Sequence, residues 1–252
     1  MMDGPEVRLI PLTGLPEVRE GDDVAAQIIA AAKAGPGVEP GDVFVVTQKI
    51  VSKAEGRVVS LDDVTPSAEA ERLAAETEKD PRLVELILSE SAGIVRQRGP
   101  VLITETKHGF VCANAGIDSS NVGPEGTVCL LPVDPDASCR GIRDAIGETT
   151  GADVAVIMSD TFGRPWREGH TNVTIGIAGM LPFVDYVGEK DSFGYELRVS
   201  TLCVADELAA AAELVQNKLD GVPVTIVRGY DYPRGEGSSR DLIRPREMDL
   251  FR

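Results

Sequence analysis

A chain of 252 residues with 42% hydrophobic side chains can bury a substantial core, and it suits one domain or two intimately joined lobes without demanding a second independent unit. Its formal charge of -16 argues against nucleic acid or an anionic membrane as partner, because both repel a broadly acidic protein; a small anion can bind only where basic residues concentrate. The longest apolar runs fall far short of a bilayer span, and no basic segment followed by an apolar one opens the chain, so a soluble cytoplasmic protein is expected.

Strand-like and helix-like segments are mixed along the chain, which predicts an α+β fold. Val7–Pro11 reads as a short strand, and Asp23 caps an Ala-rich helix that stops at Gly35. Val43–Val46 is a buried strand that leads into Thr47–Lys53. Two helices are predicted next, over Ser67–Lys79 and Pro81–Arg96, the second with Leu83, Leu86, Ile87 and Ile94 on one face. Val101–Thr104 and Gly109–Ala113 read as a hairpin around Lys107-His108, and Thr127–Leu131 as a further strand. The Asp/Pro/Ser cluster at 132–138 marks the start of a helix that reaches about Gly147. Beyond the apolar run Val154–Met158 come the strands Val173–Ala178 and Leu197–Val204, the helix Asp206–Lys218 and the strand Val224–Val227. Gly235–Ser239 is expected to be a mobile, accessible loop. Cys112, Cys129, Cys139 and Cys203 lack a C-x-x-C spacing, which points to buried free thiols and away from a zinc site or a disulfide framework.

Two acid-centred stretches carry the chemical signal. One is Ser159-Asp-Thr-Phe-Gly-Arg-Pro-Trp-Arg-Glu-Gly-His-Thr171, directly after the buried run; the other is Asn114-Ala-Gly-Ile-Asp-Ser-Ser-Asn121. A carboxylate ending a strand, with a hydroxyl beside it, can share one hard cation, so Asp160 and Thr161 are candidate ligands. Arg164 and Arg167 could face phosphate oxygens, for which a guanidinium fork is well shaped. A turn-capping Asp160 with solvated arginines would use the same residues. In the second stretch Gly116 permits a tight turn and Asp118 offers a carboxylate, although a plain Asx-turn needs no more than these. Lys49 and Lys53, four apart after a strand, can neutralise a polyphosphate or simply form a solvated helix face. No Gly-rich phosphate loop follows any strand, which excludes a standard P-loop or dinucleotide fold. His108 sits in the expected hairpin turn, while His170 lies beside the arginines.

With these stretches assembled, the chain resembles the coenzyme F420-0:L-glutamate ligase family in its single-domain form. The resemblance is carried by Ile10–Pro16, Val45–Arg57, Leu102–Thr106, Ala115–Val122, Leu131–Ser138, Ser159–Gly169 and Val204–Ala209, which occur in the family's order across nearly the whole chain. It implies that Asp118 and Asp160 bind a divalent metal, Mg2+ or Mn2+, and that Thr161 bears on a second metal position. It further implies K+ as an additional ion and GTP as co-substrate. Leu15, Pro16, Glu17, Val18, Gln48, Lys53 and Asn121 match nucleotide-contacting positions, and the segment beginning Gln216, Asn217, Lys218 corresponds to another. Ser159, His170 and Asn172 depart from the Thr, Gln and Asp frequent in the family, and Gln48 from its usual Ser or Thr, which leaves the acceptor open. The implied reaction adds L-glutamate to F420-0 through an acyl phosphate. Asp118, Asp160, Lys53, Arg164 and Arg167 are then the expected catalytic groups. A relative acting on another phosphorylated acid, and a non-catalytic nucleotide binder, are the alternatives. The fold expected is a single 1–252 unit of two lobes, the smaller around 160–197, and the resemblance implies that two such subunits form an intertwined homodimer.

Overall fold

The run Val43–Val46 has no polar alternation because both of its faces are covered. It lies in strand β2 (Val43–Thr47), the middle strand of a five-stranded sheet in the computed structural model, which describes residues 6–251. On one side β2 pairs antiparallel with β12 (Val224–Arg228), whose outer neighbour is β1 (Arg8–Pro11). On the other side it pairs in parallel with β8 (Ala155–Arg164), and β9 (Arg167–Ala178) closes that edge as the return arm of a long antiparallel hairpin. Phe44, Val46, Val156, Met158 and Ile226 pack under helices α1 (Val24–Ala34) and α5 (Pro135–Thr150). Val43, Val45, Ala155, Ile157 and Val227 face α6 (Val204–Gln216). Each such side chain removed from water contributes about 1.5–3 kcal/mol, so the two covered faces hold the sheet and, with it, the strand ends.

The expected helix boundaries follow their caps. The Asp23 carboxylate accepts from Ala26 N at 2.9 Å, and that of Asp134 accepts from Ala137 N at 2.9 Å ahead of Pro135. α5 runs to Thr150 and ends on Gly151 in the left-handed region, φ 74°. Between α2 (Gln48–Ala54) and β7 (Thr127–Cys129) the chain builds a smaller assembly. β3 (Val58–Ser60) pairs with β7, while α3 (Ala68–Thr77) and α4 (Pro81–Ser89) precede a sheet of β4 (Ser91–Arg98), β5 (Val101–Thr106) and β6 (Val111–Ala113). β10 (Phe183–Asp185) and β11 (Thr201–Cys203) form a separate ribbon, with no regular element between them.

Three sequence expectations are corrected. The helix predicted over Pro81–Arg96 ends at Ser89, and Ile94 lies on β4, 41% exposed. Gly93, the branched Ile94-Val95 pair and the Gly99-Pro100 turn favour a hairpin with β5 over a longer helix. Asp160 does not end its strand: β8 continues to Arg164 and turns at Pro165-Trp166 into β9. The polar residues that mimic a loop there are strand residues. Finally, Gly235–Ser239 is pinned at its end, because buried Asp136 accepts from Ser238 Oγ at 2.7 Å and from Ser239 N at 3.1 Å.

Candidate active site

The C-terminal end of β2 and the middle of the β8–β9 hairpin open into one cavity of about 470 Å3. Into it project Asp160 and Thr161 from β8, Asn172 from β9, Gln48, Lys49 and Lys53 from α2, and Glu213 and Gln216 from α6. Leu15–Val18, Asp118, Asn121 and the Asn217–Leu219 segment complete the wall. Every nucleotide-contacting position that the resemblance implies therefore faces this space, as do all three implied metal ligands.

Local geometry explains how each is delivered. Asn114, Ala115 and Gly116 adopt φ 53°, 55° and 73° in succession, a left-handed turn that costs about 1–2 kcal/mol for a residue such as Ala115. A Cβ at position 116 would meet Leu131 at 2.9 Å, so glycine is needed there. After this turn the Asp118 backbone bonds both ways to Cys129, at 3.1 and 2.8 Å, and its side chain accepts from Ser120 N at 2.7 Å. The Asx-turn is real, and its carboxylate still reaches the cavity. On the other side Met158 opposes Gly176 while Ser159 opposes Thr174, which leaves Ile175 as a bulge in β9. The bulge frees Thr174 N, which donates to Asp206 Oδ1 at 2.8 Å at the start of α6.

The charges are arranged unevenly. Lys49 Nζ lies 2.7 Å from Asp118 Oδ2 and 2.5 Å from the Ser120 carbonyl. Burial works to raise the Asp118 carboxyl, but the Lys49 ammonium and Ser120 N–H outweigh it and hold the group below its ordinary value. Asp160 goes the other way: burial first, and then the Asp118 charge, push it up to about 6 against the opposing Thr161 N–H, Lys49 and Lys218. The same carboxylate, after burial, helps push the nearby Cys112 thiol up to about 12. All four cysteines are free, and Cys112, Cys129 and Cys139 are buried as expected. Lys53 Nζ pairs with Glu17 Oε1 at 2.5 Å, and Asn121 Nδ2 donates to the Lys218 carbonyl at 3.3 Å, tying the Asp118 turn to the segment after α6.

The donor set fits a hard divalent cation. Asp118, Asp160 and Thr161 offer oxygen only, and a cation would offset what raises Asp160, its burial first and then the neighbouring Asp118 charge. Among the described residues no group of three His, Cys, Asp or Glu is placed to hold a metal ion. A partial shell of this kind suits Mg2+ or Mn2+, which retain water and take phosphate oxygens as ligands.

Arg164, Arg167 and His170 are not brought to the cavity. They lie exposed near the hairpin tip, where Arg164 donates to the Glu168 carbonyl and Trp166 packs edge-on against Phe251 at 5.2 Å. His108 is also remote, lining a second cleft of about 280 Å3 with its Nε2 donating to the Pro132 carbonyl at 2.9 Å. Glu213 escaped the sequence reading. Its only signal is a seven-residue spacing from Asp206, which places both on one face of an Ala-rich helix.

Comparison with known proteins shows the family of the chain. The sequence profile described as F420-0:Gamma-glutamyl ligase matches residues 14–229. The chain is 49% identical to the coenzyme F420:L-glutamate ligase of Methanothermobacter thermautotrophicus over 98% of its own length and 99% of that protein. It is 45% identical to the protein of that name from Methanopyrus kandleri, covering 98% of each, and 42% identical to that of Archaeoglobus fulgidus, covering 98% and 96%. Among the described residues no helix is long and apolar enough to cross a membrane. The chain belongs to the F420-0:gamma-glutamyl ligase family.

Proposed function

We propose that this protein is a GTP-dependent ligase that joins L-glutamate to F420-0, forming an amide bond through an acyl phosphate. The observation that carries the reading is the convergence of six separate stretches of chain on one cavity, with Asp118 and Asp160 facing Lys49 and Lys53 there. A carboxylate is a poor acyl donor, and transfer of the GTP γ-phosphoryl group to it creates a leaving group that the amine of glutamate displaces. A bound Mg2+ or Mn2+ would supply charge stabilisation of the phosphoryl group, held by Asp118 and Asp160, with Thr161 beside them. Lys53, mostly buried in the wall, offsets phosphate charge in a strongly acidic protein. Asn121, bonded to Lys218, keeps the Asp118 turn and the segment after α6 together over the nucleotide, which limits loss of the acyl phosphate to water. Incubation with F420-0, L-glutamate, GTP and Mn2+, read by mass spectrometry, tests this. Glutamyl adducts that require GTP are expected; GDP release only with a different acid would place the enzyme on another acceptor.

The functional unit in this proposal is a homodimer. Large apolar side chains are exposed at the β8–β9 tip and along the stretch between β10 and β11, with Trp166 at 73%, Phe193 at 95% and Val199 at 90%. Apolar surface concentrated in this way favours association. Light scattering at micromolar concentration should give twice the chain mass, and a monomer alone would refute the pairing.

A further inference from the structure

Lys53 is the more deeply buried of the two lysines that α2 sends into the cavity, its side chain 11% exposed against 19% for Lys49, and the carboxylate that neutralises it comes from outside the helix. Glu17 Oε1 lies 2.5 Å from Lys53 Nζ, while the Glu17 side chain is 73% exposed. The loop that carries Glu17, between β1 and α1, is fixed on both sides of it. Leu12 and Val18 are buried in the core, Leu12 N donates to the Val224 carbonyl at 2.9 Å, and Gly21 N donates to the Ala54 carbonyl at 2.9 Å, one residue beyond Lys53. The backbone therefore need not move for the contact to break. Rotation of one exposed side chain is enough.

Internal carboxylates thus occupy both lysines of α2, but they differ in what can replace them. Asp118, on Lys49, is a candidate metal ligand, so a divalent cation can take over its charge and leave Lys49 to an anion. No such exchange serves Glu17, whose hydrogen-bond partner among the described residues is Lys53 alone. A phosphate oxygen that takes the Lys53 ammonium meets a carboxylate of like charge on the same group, and the two repel. Without either anion, Lys53 would be a mostly buried charge with no partner, which is costly. One anion at a time satisfies it.

We propose that Glu17 is an internal competitor of the nucleotide phosphates for Lys53, an inference that rests on the ligase reading above. In the empty site it neutralises the lysine. When a guanosine di- or triphosphate binds, its side chain swings out to solvent, and when the spent nucleotide leaves, it takes the lysine back. Glu17 thereby weakens the hold on the nucleotide and favours release of the diphosphate product.

The test is calorimetric titration of the full chain with GDP at a fixed Mn2+ concentration, using wild type, Glu17→Gln and Glu17→Ala. Glu20→Gln removes the same charge from the same loop at a residue that does not line the cavity, so it reports the effect of net charge alone. Removing a competing carboxylate, and the repulsion it exerts on a neighbouring anion, should tighten GDP binding about 3- to 10-fold in both Glu17 variants, with Glu20→Gln within about twofold of wild type. In turnover, added GDP should inhibit the Glu17 variants more strongly than wild type. Weaker GDP binding to either folded variant would overturn the proposal and make Glu17 a residue that positions Lys53 for the nucleotide. Unchanged binding, or an equal gain in Glu20→Gln, would overturn it as well. A wild-type protein that binds no GDP and forms no glutamyl product would instead fail the ligase reading, and the competitor with it.

Discussion

At the scale of single residues, the two acids that the sequence brings forward turn out to be unequal. Asp118 is anchored by Lys49 and its own turn, while Asp160 is raised to about 6 from an ordinary 3.8, by burial above all. Because its folded pKa is raised, the native protein keeps this proton at pH values where the unfolded chain has lost it. Stability from this group is therefore present below the unfolded value and falls as the pH rises towards about 6. Asp160→Asn removes the ionisable group and keeps the shape. In the presence of a chelator, wild type and variant should melt together at acid pH, and the variant should melt higher at neutral pH and above. A difference in melting temperature that does not change with pH would show that Asp160 is not destabilised by ionisation. Residue type alone made Asp118, Asp160 and Lys53 legible, since an acid or a lysine beside a buried strand is visible in one dimension. Glu213 was not, because its meaning comes from α6 lying across β9. Arg164 and Arg167 had the right chemistry for phosphate, yet a continuing hairpin carries them away from the cavity.

Helices announced by caps were read closely, as Asp23 and Asp134 show, because a capping side chain acts within its own turn. Elements set by distant pairing were not. The stretch after Ser89 has helical spacing, but the ladder to β5 decides it, and the polar half of β8 is a strand only because β9 returns alongside. The bulge at Ile175 has no local signature at all, although it sets which residues point into the site. It depends on Asp206, whose carboxylate takes up the freed Thr174 N–H in a buried position. Asp206→Ala should leave that donor unsatisfied and cost about 1–3 kcal/mol in urea denaturation. Asp206→Asn keeps an acceptor oxygen and should recover most of the loss. Equal destabilisation by both substitutions would mean that the negative charge at the start of α6, and not the hydrogen bond, holds the bulge.

For the whole molecule, the mixed α and β architecture follows from interleaved strand and helix patterns, and the five-stranded sheet from apolar runs buried on both faces. The order of those strands is not visible in such patterns, since β2 pairs in parallel with β8 across more than a hundred residues. That pairing sets Thr47 beside Ser159 and so brings Gln48, Lys49 and Lys53 to the same cavity as Asp118 and Asp160. The resulting account makes one cavity responsible for both phosphoryl transfer and amide formation. It is tested most directly by product mass in reactions of F420-0, L-glutamate, GTP and Mn2+ with wild type and with folded Asp160→Asn. The account predicts GTP-dependent glutamyl addition by wild type and turnover lower by at least about a hundredfold in the variant, as expected when charge stabilisation of transfer is lost. Near-wild-type product formation by Asp160→Asn at saturating Mn2+ would contradict it.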